Sequence, residues 1–134
     1  MKLDRLIKGI HHVSLKCCGI EEFRKTVHFY NIVLGMEILR SWGNGDESSV
    51  MIDTGSGVIE IFANANEHLS KGTIRHFALM TDDVDACIKA VRESGFEVVM
   101  EPNDIVIKSN PEYPARIAFC KGPIGEEIEF FQER

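Results

Sequence analysis

No run of apolar residues in this chain approaches the roughly 18 in a row that a membrane span needs. The stretch Met1 to Arg5 has no apolar core of the kind that marks a secretory leader, so a cytoplasmic location is expected. Cysteine is scarce, and Cys17, Cys18, Cys87 and Cys120 form neither a CxxC pair nor an evenly spaced framework. They read as free thiols in a reducing compartment. Cys17 and Cys18 are adjacent, would face opposite sides of a strand, and have no evident paired base to make either a nucleophile. Basic residues are also outnumbered: 15 Lys and Arg against 21 Asp and Glu leave a formal charge of −6, with the cations scattered. A nucleic-acid surface needs a basic stripe, and none is visible, so neither nucleic acid nor membrane is expected as a partner. Hydrophobic residues make up 44% and charged residues 27% of the 134 positions, the balance of a soluble globular chain of one domain or of two small modules sharing a core.

An internal repeat decides between those two. Ile10-His11-His12-Val13-Ser14-Leu15 aligns with Ile74-Arg75-His76-Phe77-Ala78-Leu79, two short strand-like runs. Each leads to an acidic start and a helical spacing of apolar residues. Glu21 and Glu22 precede Phe23, Val27 and Tyr30, while Asp82, Asp83 and Asp85 precede Ile88 and Val91. Both helices stop at a glycine expected in the left-handed region, in Gly35-Met36-Glu37 and Gly95-Phe96-Glu97. Turns follow at Gly43-Asn44-Gly45, Thr54 to Gly57 and Gly122 to Gly125. The last strands superimpose as well, Val58-Ile59-Glu60-Ile61-Phe62 on Glu127-Ile128-Glu129-Phe130-Phe131. The chain therefore reads as strand–helix–strand–strand–strand, twice. The expected fold is α+β, one domain over 1–134 made of βαβββ modules at 8–64 and 73–133, paired as an incompletely closed barrel. A polar linker near Asn64 to Gly72 joins the modules.

The repeat sets His12 over His76 and Glu60 over Glu129. Two copies of one module thus each offer a histidine on the first strand and a glutamate on the last. Taken singly, a strand histidine is usually a surface or hydrogen-bonded residue, and a strand glutamate simply faces solvent. If the modules pair about a pseudo-twofold axis, the four side chains converge. Two imidazoles and two carboxylates form a mixed N/O set that suits one divalent ion, Ni or Zn first and then Co, Mn or Fe, rather than a closed thiolate site. His11 is expected on the opposite face of the strand from His12 and is read as peripheral; His28 and His68 have no matched partner and read as helix surface and linker. Apolar module edges near Ile38 and Val99 suggest burial in a homodimer.

The stretches His12-Val-Ser-Leu-Lys16, Phe29-Tyr30 with Val33-Leu34-Gly35-Met36, Val58-Ile59-Glu60, His76-Phe-Ala-Leu, Ile117-Ala118-Phe119 and Pro123-Ile-Gly125 leading to Ile128-Glu129 carry a resemblance. The chain resembles the vicinal-oxygen-chelate superfamily over nearly its whole length, and within it looks most like the short bacterial glyoxalase I type. That resemblance implies metal ligands at His12, Glu60, His76 and Glu129, with Glu60 the discriminating one, since related epimerases usually carry Gln there. It implies substrate contacts at Asn64 and at Lys16. The family has an arginine where Lys16 stands, so the charge is kept and the bidentate fork is lost. It further implies a small-molecule substrate, the hemithioacetal of a thiol and a 2-oxoaldehyde such as methylglyoxal. Glu129 would serve as the base for the carbon acid, with Glu60 its counterpart. Two other classes fit parts of the pattern. One is another metalloenzyme of the superfamily, an epimerase or an antibiotic-modifying enzyme; the other is a metal-free drug-binding module, which would typically lack the four ligands.

Overall fold

The structure, a computed structural model, describes residues 10–69 and 74–134. Expectations for Met1 to Arg5 and for the far end of the linker fall outside the described residues. The order of elements is β1 (His12–Lys16), α1 (Gly19–His28), a π-helical turn (Phe29–Val33), β2 (Glu37–Trp42), a 3₁₀ turn (Gly45–Glu47), β3 (Ser49–Asp53) and β4 (Val58–Phe62). Then follow β5 (His76–Met80), α2 (Val84–Glu93), β6 (Val98–Ile107), β7 (Tyr113–Lys121) and β8 (Glu127–Glu133). The strands form two four-stranded mixed sheets, β1-β4-β3-β2 and β5-β8-β7-β6, each with one helix, and the sheets do not close on one another.

Each helix forms where spacing and capping agree. On α1, Glu21 and Glu22 occupy the first turn, where acids complement the helix dipole, and Phe23 and Thr26 are buried. No side chain of the N-cap closes this helix; instead the Ile20 N–H donates to Asp46 Oδ1 at 3.0 Å across the module. On α2, the Asp83 carboxylate accepts from the Ala86 N–H at 3.0 Å, a local N-cap, and Val84, Ile88 and Val91 are buried one turn apart. Gly35 (φ +75°) and Gly95 (φ +83°) end the two helical segments at matched positions, in the left-handed region a side chain would resist. The α-helical hydrogen bonding of α1 stops before Gly35, however. Past His28 the chain widens into the π turn, marked by the Leu34 N–H to Phe29 carbonyl bond of 3.0 Å.

Strand alternation sorts each sheet into a core face and an open face. In the first sheet Leu15, Val50, Ile52, Ile59 and Ile61 point inward with Phe23, Phe29 and Tyr30. In the second, Phe77, Leu79, Ala118, Cys120, Ile128 and Phe130 do the same with Val84, Ile88 and Val91. The two sets form a single core, joined where the π turn meets the second module. Phe29 meets Phe96 edge-on at 4.7 Å between ring centroids, and Tyr30 lies 6.4 Å from Phe77. The Tyr30 hydroxyl also donates to Glu126 Oε2 at 2.7 Å, and Glu126 Oε1 accepts from the Ile124 N–H at 3.0 Å. Gly122 makes room for that carboxylate: a Cβ there would sit 2.3 Å from the Glu126 Cδ.

Candidate metal centre

The register of the sheets explains how histidine and glutamate meet. β1 runs parallel to β4 with His12 opposite Val58 and Ser14 opposite Glu60; β5 runs parallel to β8 with His76 opposite Glu127 and Ala78 opposite Glu129. In both modules the glutamate is therefore the diagonal neighbour of the histidine on the same face, two residues beyond its direct partner, a separation long side chains can bridge. His12 Nε2 lies 3.5 Å from Glu60 Oε1, and His76 Nε2 lies 3.3 Å from Glu129 Oε1. The two pairs are near copies in chemistry, in register and in the nitrogen presented.

Their surroundings favour a role beyond solvation. The Glu60 and Glu129 side chains keep 11% and 13% of their accessible surface, whereas the His12 and His76 side chains keep 39% and 42%. Each carboxylate is thus drawn down onto the sheet while each imidazole edge stays open. A nearly buried carboxylate needs charge or hydrogen-bond partners, and a single histidine at 3.3–3.5 Å leaves most of its acceptor capacity unused. Phe119, opposite Glu129 on β7, stacks edge-on against His76 at 5.3 Å between centroids. It is Phe119, and not the core-facing Phe130 that follows Glu129 in sequence, that walls this pair.

The structure joins the four predicted ligands within each module and not across modules. Among the described residues of one chain, no group of three or more His, Cys, Asp or Glu forms a metal cluster. Lys16 is on the open face with His12 and Ser14, beside Phe62 of β4. Asn64 is exposed just past β4, bridged through its backbone to Cys18, so it ends the same face as Lys16. A cleft of about 530 Å³ lies between the edge strands β1 and β5, and both Lys16 and His76 line it, with Ser14, His68, Ile124 and Glu126. His28 is exposed on the last turn of α1, and His68 approaches Glu22 Oε1 at 3.4 Å.

One sequence-based expectation is corrected here. His11 was expected on the face opposite His12, yet its ring meets the His12 ring edge-on, with Nδ1 of one 2.9 Å from Nδ1 of the other. Strand alternation does not govern His11 because β1 begins one residue later, at His12. The cysteines, by contrast, are free thiols as expected, and Cys17 and Cys120 are fully buried. Burial pushes the Cys17 thiol up to about 11 and the Cys120 thiol up to about 12, far from the range of a reactive thiolate.

A fold of two βαβββ modules with matched His–Glu pairs on open sheet faces is that of the Glyoxalase/Bleomycin resistance protein/Dioxygenase superfamily, and the chain belongs to it: the family pattern matches residues 9–130. Among curated relatives, the lactoylglutathione lyase of Haemophilus influenzae is 30% identical over 133 residues, covering 93% of this chain and 93% of its own length. Among solved structures, an antibiotic binding protein from Streptomyces sp. CB03234 superimposes with a TM-score of 0.73 at 19% identity, over 98% of this chain and 100% of its own. A trypanothione-dependent glyoxalase I of Leishmania major superimposes with a TM-score of 0.68 at 19% identity, over 95% of this chain and 88% of its own. At those identities the two structures speak for the fold alone.

Proposed function

We propose that this chain is a metal-dependent lyase of the glyoxalase I type, which isomerises the hemithioacetal of a thiol and a 2-oxoaldehyde to a thioester. The observation that carries the reading is the pair of equivalent His–Glu contacts, 3.5 and 3.3 Å, on the open faces of the two sheets. The H. influenzae lactoylglutathione lyase, similar along nearly its whole length, supports the choice of reaction within the superfamily.

The residues fit a divalent ion. Two imidazole Nε2 atoms and two under-partnered carboxylates form an N/O donor set suited to Ni or Zn, and next to Co, Mn or Fe. His12 and Glu60 would hold it from one module, and His76 and Glu129 from the other. Because the two pairs stay apart within the described chain, we assign the complete site to a homodimer, with the first sheet of one copy facing the second sheet of its partner. Exposed Ile38, Trp42, Val99, Met100 and Ile107 on the outer strands of the two sheets are apolar surface such a pair would bury.

When bound, the ion supplies Lewis-acid stabilisation of the oxygen beside the acidic carbon. Glu129 takes the proton from the thiol-bearing carbon and returns it to the adjacent carbon, while the hydroxyl proton of the first carbon passes to the oxygen of the second. One C–H and one O–H break, one of each forms, and no other reactant is consumed. Phe119 against His76 shields that carboxylate from bulk water. Glu60, its equivalent, would complete the donor set. Lys16 offers its ammonium to a carboxylate of the thiol carrier, and Asn64 offers an amide at the same end of the sheet. No helix among the described residues is long and apolar enough to cross a membrane, and the free thiols suit a reducing cytoplasm, where methylglyoxal would be detoxified.

The test is an assay of thioester formation from methylglyoxal and several thiols, with the protein loaded in turn with Ni, Zn, Co or Mn. Metal-dependent turnover with at least one thiol is expected. Tight metal binding without turnover would move the chain to an epimerase or antibiotic-modifying activity. Absence of any metal affinity would make it a binding module.

A further inference from the structure

The open face of the first module has a feature its repeat cannot share. His11 lies directly before β1, and its carbonyl accepts from the Val58 N–H at 3.1 Å, which ties its backbone to the start of β4. From that anchored position its Nδ1 approaches His12 Nδ1 to 2.9 Å, with the rings edge-on at 84°. Two ring nitrogens at that distance make a hydrogen bond only if one carries a proton and the other a lone pair.

The other nitrogen of His12 decides which way this bond must run. Nε2 faces Glu60 and is the atom placed to take a cation. A ligating nitrogen carries no proton, so a neutral His12 bound through Nε2 carries its proton on Nδ1. That N–H then donates to His11 Nδ1, and the His11 proton resides on Nε2. Without a cation the opposite arrangement is available: His12 keeps its proton on Nε2, toward Glu60, and His11 donates. Passage from one state to the other moves one proton on each ring between its two nitrogens and requires no net gain or loss of charge by the pair. Ligating histidines are ordinarily fixed by such an acceptor behind the ring, usually a carboxylate, a carbonyl or water. Here the group behind the ring is a second imidazole. The repeat places Arg75 before His76, and a guanidinium has no lone pair to accept with, so this device belongs to the first module alone.

We propose that His11 is a positioning residue for His12: as a neutral imidazole it accepts the His12 Nδ1–H and so holds His12 in the tautomer and orientation that present Nε2 to a divalent ion. This rests on the metal-site reading of His12, Glu60, His76 and Glu129. The acceptor atom is Nδ1, close to the backbone, so asparagine, whose Oδ1 occupies the same place, should substitute for it.

The test titrates Zn into the full chain by calorimetry for the wild type, His11→Phe and His11→Asn, with 15N NMR of the Zn-loaded wild type reporting the His12 tautomer. His11 is exposed, so all three proteins should fold, which circular dichroism checks. We expect His11→Phe to lose about 10–100-fold in Zn affinity, the range for removing a partner behind a ligand. His11→Asn should recover most of that loss, and His12 should be protonated at Nδ1. Equal affinity of the wild type and His11→Phe, or an unprotonated His12 Nδ1, would overturn the inference while leaving the metal site standing. A wild type that binds no Zn, Ni or Co would overturn the site and this inference together.

Discussion

Tyr30→Phe removes a single hydroxyl from the seam between the modules. Tyr30 is fully buried, and its O–H donates to Glu126 at 2.7 Å. A hydrogen bond to a charged group contributes about 1.5–3 kcal/mol; Glu126 retains some solvent contact, which places this one near the lower end, at about 1.5 kcal/mol. For a chain of this size that corresponds to a fall in Tm of roughly 4–8 °C. The effect should depend on pH in a stated direction. Burial is the largest influence on the Glu126 carboxyl and raises it above its ordinary range, helped by the nearby Glu22 carboxylate. The Tyr30 O–H and the N–H groups of Ile124 and Glu126 pull the other way. The folded chain therefore holds this proton more tightly than the unfolded chain. The stability it contributes is fully present below the ordinary carboxyl range and is lost as pH rises through the raised value. Glu126→Gln removes the titration yet keeps both contacts, since the amide can accept from the Ile124 N–H and donate to the Tyr30 oxygen. Thermal unfolding followed by circular dichroism from pH 4.5 to 8 should show Glu126→Gln gaining on the wild type as pH rises, with Tyr30→Phe below both at pH 8. A constant gap between Glu126→Gln and the wild type across that range, or an unchanged Tm for Tyr30→Phe, would refute the reasoning.

Glu129→Gln should keep part of its metal occupancy while turnover of the hemithioacetal falls by about 10²–10⁴-fold, the usual loss with a general base; near-full activity there with a collapse in Glu60→Gln would exchange the two roles. Gly122→Ala forces a Cβ against the Glu126 carboxylate, so it should lower stability by about 1–3 kcal/mol in denaturant titration, and combining it with Tyr30→Phe should add less than the sum of the two. A thiol reagent at pH 8 should leave Cys17 and Cys120 unmodified in the folded protein and label them on unfolding, which mass spectrometry reads directly.

The repeat was legible because both modules carry the same hydrophobic periods and the same glycine stops, and local signals of that kind survive in a single sequence. The equivalence of His12 with His76 and of Glu60 with Glu129 was legible for the same reason. That each histidine meets the glutamate of its own module was not, because that contact depends on the parallel pairing of β1 with β4 and of β5 with β8. What escaped depended on contacts remote in sequence or on the limits of a local rule. The Tyr30–Glu126 bond spans 96 residues, and Phe119 reaches His76 only through the order of strands in the second sheet. The π turn after His28 has no signature in residue spacing. His11 was misjudged because alternation was extended one residue beyond the strand to which it applies.

The central claim, a metal site completed by the first module of one chain and the second module of another, is tested most directly by mixing two inactive variants. His12→Ala disables the first half-site and His76→Ala the second, so each homodimer should hold no metal and show no turnover. After the two are unfolded together and refolded, half of the dimers should be mixed, and each should contain one intact site of two. Metal content and activity should then return to about a quarter of the wild-type level. A mixture that stays as empty and inactive as its components, beside a wild type that binds metal and turns over, would contradict the shared site and confine all four ligands to one chain.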